Sequence, residues 1–159
     1  MSKDEQTARL DRTDRRILRL LQTEPEISAA AIGERIGASQ ATVWRRIQQM
    51  REAGLIPPQV VTLDRKKAGF NAMIFAQVKL SSHGRSNLAD FSQAIQSFPE
   101  VLDCYVLMGS VDFLLRIVAP DVEAYETFFF EKLSRLPGVQ EITSSMALSE
   151  IKRTTVLPV

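Results

Sequence analysis

The sequence predicts an α+β fold in two parts, and three observations lead to this prediction. Residues 12–54 carry apolar side chains at helical spacing, interrupted by a glycine at Gly37. Pro57-Pro58 then ends the helical region, because two consecutive prolines cannot continue a helix. The remaining chain alternates strand-like apolar stretches with two amphipathic helical stretches, which indicates a small sheet that carries helices.

Three helices are predicted in the first part, with a tight turn between the second and the third. Asp11-x-x-Asp14 suits the N-terminus of the first helix. Ser28 and Ser39 are placed to cap the other two, because a serine hydroxyl accepts a hydrogen bond from a free N–H of the first turn. Gly37 suits the left-handed backbone at a helix end. The third helix ends at Gly54 and buries one stripe: Val43, Ile47 and Met50.

Two short helices joined by a glycine turn are typical of the helix-turn-helix motif, whose second helix lies in the DNA major groove. Between residues 34 and 51 there are four arginines and one acid, which favours a DNA partner. The alternative is an ordinary helical domain with a solvated charged face. The candidate DNA-binding residues are Ser39, Gln40, Ala41, Thr42, Trp44, Arg45, Arg46 and Gln49. Of these, Arg46 borders the core and is expected to contact phosphate.

Composition excludes several classes of function. The net charge is +1, so no strong overall field indicates nucleic acid. Cys104 is the one cysteine and is expected to be buried, and His83 is the one histidine, expected on a surface turn. Metal and Cys-His chemistry therefore lack parts, so we expect no cofactor and no enzyme activity. The sequence shows no signal peptide and no membrane-spanning run, so a cytoplasmic protein is expected.

The second part predicts the order strand-helix-strand-strand-helix-strand. Both predicted helices end alike, in Phe98-Pro99-Glu100-Val101 and Leu136-Pro137-Gly138-Val139. This repeat is typical of the ferredoxin-like βαββαβ fold, an antiparallel sheet with two helices on one face. The expected domains are 1–56, a linker 57–71 with a strand at Gln59–Leu63, and 72–159. The expected elements are strands at 73–81, 101–108, 113–118 and 139–151, with helices over 87–98 and from Asp121 through Leu136.

A second apolar sheet surface predicts oligomerisation. We expect the face opposite the helices to carry Ile74, Val106, Leu115 and Ile117, and such a face is often buried against a second chain. A homodimer that assembles further is the expected partner arrangement.

The predicted turn at Gly109–Asp112 is a candidate ligand site. Glycine can expose backbone N–H groups to a carboxylate, and the Asp112 carboxylate can pair with an ammonium. The alternative is that Asp112 only stabilises its own turn through an Asx bond. The candidate effector-binding residues are Met108, Gly109, Ser110, Val111 and Asp112, with Thr143, Ser144 and Ser145 on the last strand. Met108 and Val111 favour a small apolar or sulfur-containing amino acid.

Several motifs, in order, resemble the Lrp/AsnC (feast/famine) transcription regulators: Leu10-Asp11-x-x-Asp14-x-x-Ile17-Leu18, Ser39-x-x-x-Val43-x-x-Arg46-Ile47, Gly54-Leu55-Ile56, Gly109-Ser110-Val111-Asp112-Phe113-Leu114-Leu115, Leu136-Pro137-Gly138-Val139 and Glu150-Ile151-Lys152. The resemblance implies an N-terminal domain that binds double-stranded DNA and a ferredoxin-like domain that dimerises. It also implies further assembly, often to octamers, and an amino acid effector held between dimers.

The sequence departs from this family at two places. Gln40 stands where the family often has proline, and Gln can bond adenine bidentately where proline cannot. Pro57-Pro58 replaces a stretch that commonly contains glycine and an aromatic residue. Two other functions remain open at this point: a nucleoid-organising DNA-binding protein without a specific effector, and an enzyme related to haem-pathway decarboxylases. Such enzymes need histidine and basic residues around a tetrapyrrole, and this chain offers only His83.

Overall fold

A computed structural model describes residues 10–81 and 88–159. The expectations for His83 and for the start of the helix at Asn87 lie outside these residues. The elements are α1 (Arg12–Thr23), α2 (Ala29–Ile36), α3 (Gln40–Glu52), β1 (Ala72–Leu80), α4 (Leu88–Gln96), β2 (Val101–Val106), β3 (Phe113–Ala119), α5 (Val122–Glu131), a short 3-10 helix (Leu133–Arg135) and β4 (Val139–Met146). The predicted α+β fold, with three helices before a βαββαβ sheet domain, is confirmed.

Local capping sets the three N-terminal helices. Asp11 caps α1 in a capping box with Asp14, and the hydroxyls of Ser28 and Ser39 accept from the backbone N–H of Ala31 and Thr42. Gly37 ends α2 at a φ of 72°. The three helices enclose one core, formed by Ile17, Leu18, Ile32, Val43, Ile47 and Met50.

Gly33 fixes the closeness of the α2–α3 turn, and the sequence analysis did not single it out. A Cβ at this position would lie 2.5 Å from the carbonyl oxygen of Ala38. The N–H of Ala38 donates back to the Gly33 carbonyl at 2.9 Å, so the two backbones cannot move apart without losing this bond. The turn into α3 therefore depends on the missing side chain at Gly33 as well as on the left-handed Gly37.

The sheet of the second part has the strand order β2-β3-β1-β4, with every neighbouring pair antiparallel. Side chains on one face of β1 and β3 pack against both helices, because alternate residues of a strand point to the same side. Helix α5 is capped by Asp121, and its most buried residue is Phe128. The buried cluster comprises Ala72, Ile74, Ala76, Val78, Leu80, Phe91, Ile95, Phe113, Leu115, Ile117, Ala119, Phe128 and Leu133.

The chain forms two compact units whose boundaries differ from those expected. One unit runs through Val61 and also contains Lys152–Val159, and the other is Thr62–Ile151. The expected C-terminal domain over 72–159 stays a prediction, and the last eight residues of that range pack with the helical unit. In that unit the backbone of Leu157 bonds to the side chain of Gln22, and Val159 contacts the helical core.

The predicted linker strand at Gln59–Leu63 is not present in the described structure. A strand exists through hydrogen bonds to a neighbouring strand, and this segment has none within the single chain. Val60, Val61 and Leu63 are instead strongly exposed. The apolar residues that predicted a strand at Gln59–Leu63 are therefore side chains that a single chain leaves exposed to solvent.

Two expectations about the sheet are wrong. Ile74, Leu115 and Ile117 are completely buried beneath the helices, so they do not form the opposite face, and of the predicted set only Val106 is exposed. Cys104 is exposed because β2 is an edge strand, although partial burial still raises the pKa of its thiol. The predicted strands at 101–108 and 139–151 end earlier, at Val106 and Met146.

Gly33→Ala tests the close turn between α2 and α3, because the sign of the change in the free energy of unfolding distinguishes a clash from open space. Alanine in a helix interior is favoured over glycine by about 1 kcal/mol, so without a clash the substitution would stabilise the protein. The contact with the Ala38 carbonyl predicts a loss of about 1–3 kcal/mol in the free energy of unfolding instead. Urea unfolding measures the difference. A more stable Gly33→Ala protein would refute the close contact.

Candidate DNA interface and effector site

Helix α3 buries one side and exposes the other. Val43, Ile47 and Met50 lie in the core, as predicted. Of the candidate DNA-binding residues, Thr42 and Arg46 are half-buried, and the exposed ones are Ser39, Gln40, Ala41, Trp44, Arg45 and Gln49. An exposed helix face that begins with polar residues at a capped N-terminus is the form of surface that a helix-turn-helix presents to base edges.

Trp44 lies at the border of this face rather than at its centre. It is 59% exposed and lines a groove of about 540 Å³ that it shares with apolar residues of the same unit, among them Leu21, Ile47 and Pro57. Arg45, one position further, points away from the core stripe. The strongest base-reading candidates on the exposed face are therefore Gln40, Ala41 and Arg45.

The arginines of the helical unit separate into two groups. Arg16 donates to the carbonyls of Arg35 and Ile36 at the end of α2, and so satisfies carbonyls that a helix end leaves free. Arg35 forms a two-pronged ion pair with Glu24, which raises the pKa of the arginine and lowers that of the carboxyl. Arg19 donates to the Val159 carbonyl. Within residues 10–81 and 88–159, five arginines of this unit make no such bond: Arg12, Arg15, Arg45, Arg51 and Arg153.

Arg46 holds α3 against the N-terminus of α1. Its Nη1 lies 2.6 Å from Asp11 Oδ2 and 2.8 Å from Asp14 Oδ1. The pKa of Asp11 is lowered, first by the hydrogen bond from the Asp14 N–H and then by the Arg46 guanidinium. Two carboxylates thus engage this nitrogen and join α3 to the start of α1. The expectation that Arg46 contacts phosphate stays a prediction.

The turn after β2 is open to solvent. Met108 is fully exposed, and a Cβ at Gly109 would meet no atom within 4 Å. Gly109 is not among the glycines with a left-handed backbone, so neither torsion nor packing within the chain requires glycine there. In the described part of the chain, no residue accepts a hydrogen bond from the N–H of Gly109, Ser110 or Val111.

Asp112 joins this turn to the central strand. Its N–H donates to the Val78 carbonyl at 2.9 Å, and its carboxylate accepts from the Leu80 N–H at 2.7 Å. The side chain thus continues the β1–β3 ladder by one more bond beyond Phe113. This cross-strand bond differs from the Asx bond within the turn that was the alternative. The Asp112 carboxylate therefore has a structural role within the chain.

The three hydroxyls on β4 do not form one group. Ser144 pairs with Ala76 on the helix-covered face, whereas Thr143 and Ser145 pair with Gln77 and Phe75 on the opposite face. Strand β1 lies between β3 and β4, which places β4 about 10 Å from the strand that carries the turn. Within one chain, the structure does not bring these residues beside Asp112.

Ser144 already has a partner that the sequence analysis missed. Its Oγ lies 2.5 Å from the Tyr125 hydroxyl. Burial raises the pKa of Tyr125, and the bond to Ser144 opposes this shift. The period-two alternation of the strand was the available signal that Ser144 faces α5 and that its two neighbours do not.

The described residues contain neither a metal-binding cluster nor a membrane-spanning helix. No group of three or more His, Cys, Asp or Glu side chains could hold a metal ion there. No helix in the same residues is long and apolar enough to cross a membrane.

The fold and the exposed third helix define a helix-turn-helix DNA-binding protein with a second, sheet-containing domain. Two family models match the chain: winged helix-turn-helix DNA-binding over residues 10–56, and the Lrp/AsnC ligand binding domain over residues 73–157. The chain belongs to the Lrp/AsnC family of transcriptional regulators.

Individual relatives span nearly the whole chain. The transcriptional regulator AzlB of Bacillus subtilis is 36% identical over 150 residues, which cover 94% of this chain and 96% of AzlB. The crystal structure of an AsnC family regulator from Agrobacterium tumefaciens has 38% identity and a TM-score of 0.86, covering 94% and 97% of the two chains. A Neisseria meningitidis transcriptional regulator solved as an L-Met complex has 32% identity and a TM-score of 0.85, covering 94% and 96%.

Arg46→Met tests the positioning role of this arginine. We expect a lower thermal unfolding midpoint near neutral pH, because two carboxylates lose their shared cation. The slope of log affinity against log salt should stay unchanged, since each phosphate contact contributes about 0.9 to it. Arg45→Met is the matched control and should leave the unfolding midpoint unchanged. A slope reduced by about one in Arg46→Met would place this residue in the phosphate-binding group.

The stability lost in Arg46→Met is expected to depend on pH. The pKa of Asp11 is held below its ordinary value of 3.8, so its stabilising contribution is complete above that value and disappears as the pH falls through the lowered one. The stability difference between wild type and Arg46→Met should therefore shrink in acid. Urea unfolding across the acid range measures this, and a constant difference would contradict it.

Proposed function

We propose that the protein is a sequence-specific transcriptional regulator whose DNA binding is modulated by a small amino acid bound at the C-terminal domain. The observation that carries the DNA part is the exposed face of α3, on which Arg45 is not paired with any other described residue. The division of the arginines supports this assignment, because Arg16, Arg35 and Arg46 make bonds within the protein and Arg45 makes none with the described residues.

Gln40 and Arg45 are proposed to read bases. Arginine bonds guanine through two acceptors, and glutamine bonds adenine in a bidentate manner. Gln40 is the first residue of α3, which is the part of a recognition helix that reaches base edges. Ser39, Ala41, Thr42, Trp44 and Gln49 complete the proposed interface, and Arg46 supports it from the protein side.

The effector is proposed to bind at the turn that contains Gly109. The N–H groups of this turn suit an α-carboxylate, and the negative charge of Asp112 suits an α-ammonium. Met108 and Val111 favour a small apolar or sulfur-containing side chain. The L-Met complex of the similar Neisseria protein supports this class of ligand. Thr143 and Ser145 are retained as effector contacts only if a second chain brings them to the turn.

A homodimer that assembles further, as far as an octamer, is proposed from the apolar surface left uncovered. Val60, Val61 and Leu63 in the linker, and Tyr105 and Val106 on the edge strand β2, are all exposed. Apolar patches of this kind mark interfaces between proteins. A cytoplasmic location is also proposed, because a transcriptional regulator must reach the chromosome; the similarity to a bacterial transcriptional regulator supports this.

Base reading is tested by replacing Gln40 and Arg45 with alanine, singly and together. Each lost bidentate contact should reduce discrimination against the wrong base by about 1–3 kcal/mol. Arg15→Ala is the matched control, since Arg15 is an exposed arginine on α1. Affinity is measured on a selected operator and on scrambled DNA, with half-sites roughly 34–36 Å apart. A double variant that keeps the full operator preference would exclude this face as the reading surface.

Effector binding is tested by thermal unfolding with each of the twenty amino acids. A ligand at about 100 times its dissociation constant stabilises the folded protein by about 2.7 kcal/mol. Asp112→Asn keeps an oxygen that can accept from Leu80 but removes the charge. It should show no ligand shift. Sedimentation of the same samples gives the oligomeric state.

Asp112→Ala is the companion variant. It removes the acceptor of the Leu80 N–H as well as the charge, so it should also lower the unfolding temperature of the free protein. If Asp112→Asn retained the ligand shift, the ammonium would not be held at this residue. If no amino acid shifted the wild type, the effector proposal would fail and the DNA proposal would remain.

A further inference from the structure

The last eight residues, Lys152–Val159, follow the sheet domain in the chain but pack in the helical unit. We call them the strap. The helical unit is therefore joined to the rest of the chain at two places: between Val61 and Thr62, and between Ile151 and Lys152. Leu157 lies six positions after Ile151, so this second connection can extend at most about 20 Å.

Specific bonds attach the strap to α1. The side-chain amide of Gln22 bonds the backbone of Leu157 in both directions: its Nε2 donates to the Leu157 carbonyl at 3.2 Å, and its Oε1 accepts from the Leu157 N–H at 2.7 Å. One side chain thus takes the place of a neighbouring strand for this residue. Arg19, one turn earlier on α1, donates to the Val159 carbonyl, and Val159 contacts the helical core.

The strap also carries its own local structure. The Val156 N–H donates to the Thr154 hydroxyl at 3.1 Å, and the Val159 N–H donates to the Leu157 carbonyl at 2.9 Å across Pro158. Proline fixes its own φ, so the conformation that meets α1 is partly set before docking. Less conformational entropy is then lost on attachment, which favours a docked strap.

We propose that the strap positions the helix-turn-helix unit relative to its own sheet domain, and so sets the spacing at which two units read DNA. A unit held by one connection samples many orientations, whereas a second attachment at α1 removes most of them. Once one unit has bound its half-site, the effective concentration of the second unit's recognition helix at the other half-site depends on orientation. It rises when the distance between the two helices matches the half-site spacing, and it falls when it does not. The strap also follows β4, so it provides a covalent path from the sheet domain to α1. Its coupling to an effector rests on the proposed function, but its effect on spacing does not.

Gln22→Leu in the full-length protein tests the strap. Leucine keeps the helix propensity of α1 and removes both bonds to Leu157. Gln93→Leu, the same change on the exposed face of α4, is the matched control. Arg19→Met is a second variant at an exposed position, which keeps the test valid if Gln22→Leu folds poorly. Hydrogen exchange of the Leu157 amide should become at least about tenfold faster in Gln22→Leu.

The decisive measurement is affinity for two half-sites at different spacings, compared with affinity for one half-site. We expect the wild type to prefer one spacing. In Gln22→Leu and Arg19→Met, the ratio of affinities between the preferred spacing and the others should fall about tenfold, while the affinity for a single half-site stays normal. A merely structural defect would weaken both kinds of DNA equally, and that result would overturn the proposal. Three other results would also overturn it. The Leu157 amide could exchange as fast in the wild type as in Gln22→Leu, or both variants could keep the wild-type preference for one spacing. The third is a control variant, Gln93→Leu, that loses this preference to the same extent. Failure to find any amino acid effector would leave these readouts intact.

Discussion

The contact between Arg46 and the two aspartates of α1 is the interaction on which the DNA-binding surface depends. It connects the buried edge of the recognition helix to the N-terminal cap of the first helix. Through Asp11 and Asp14 the same carboxylates serve the capping box, so one cation stabilises both a helix end and a helix pair. The exposed side of α3 can then present Gln40 and Arg45 from a fixed position.

Charge alone does not identify DNA-binding residues in this chain. The helical unit is rich in arginine, yet several of these side chains complete helix ends or join segments of the protein. The N–H groups of a guanidinium donate hydrogen bonds within one plane. This arrangement suits carbonyls and carboxylates of the protein as well as phosphates. The local count of arginines correctly indicated a nucleic-acid partner, but the geometry decides which ones are available to it.

Features that depend on neighbours in sequence were predictable, and those that depend on distant residues were not. Ser28, Gly37 and Ser39 act within a few positions, so their roles followed from residue type. The Arg46–Asp14 and Leu80–Asp112 bonds each join residues 32 positions apart, and no local pattern shows them. The choice of the covered sheet face failed for another reason: the alternation places Ile74 on the same face as Ala76, Val78 and Leu80, and this was not applied. The alternation of Thr143, Ser144 and Ser145 was visible, and the three should have been divided between two faces.

The close approach of Gly33 to Ala38 has a thermodynamic consequence for recognition. Because this backbone contact and the caps at Ser39 and Gly37 are complete in the free chain, α3 is already folded before it meets a partner. Binding to a partner then orders side chains of α3 but does not need to fold the helix. The heat-capacity change on association should reflect the apolar surface removed from water at the contact, without the large contribution that accompanies coupled folding.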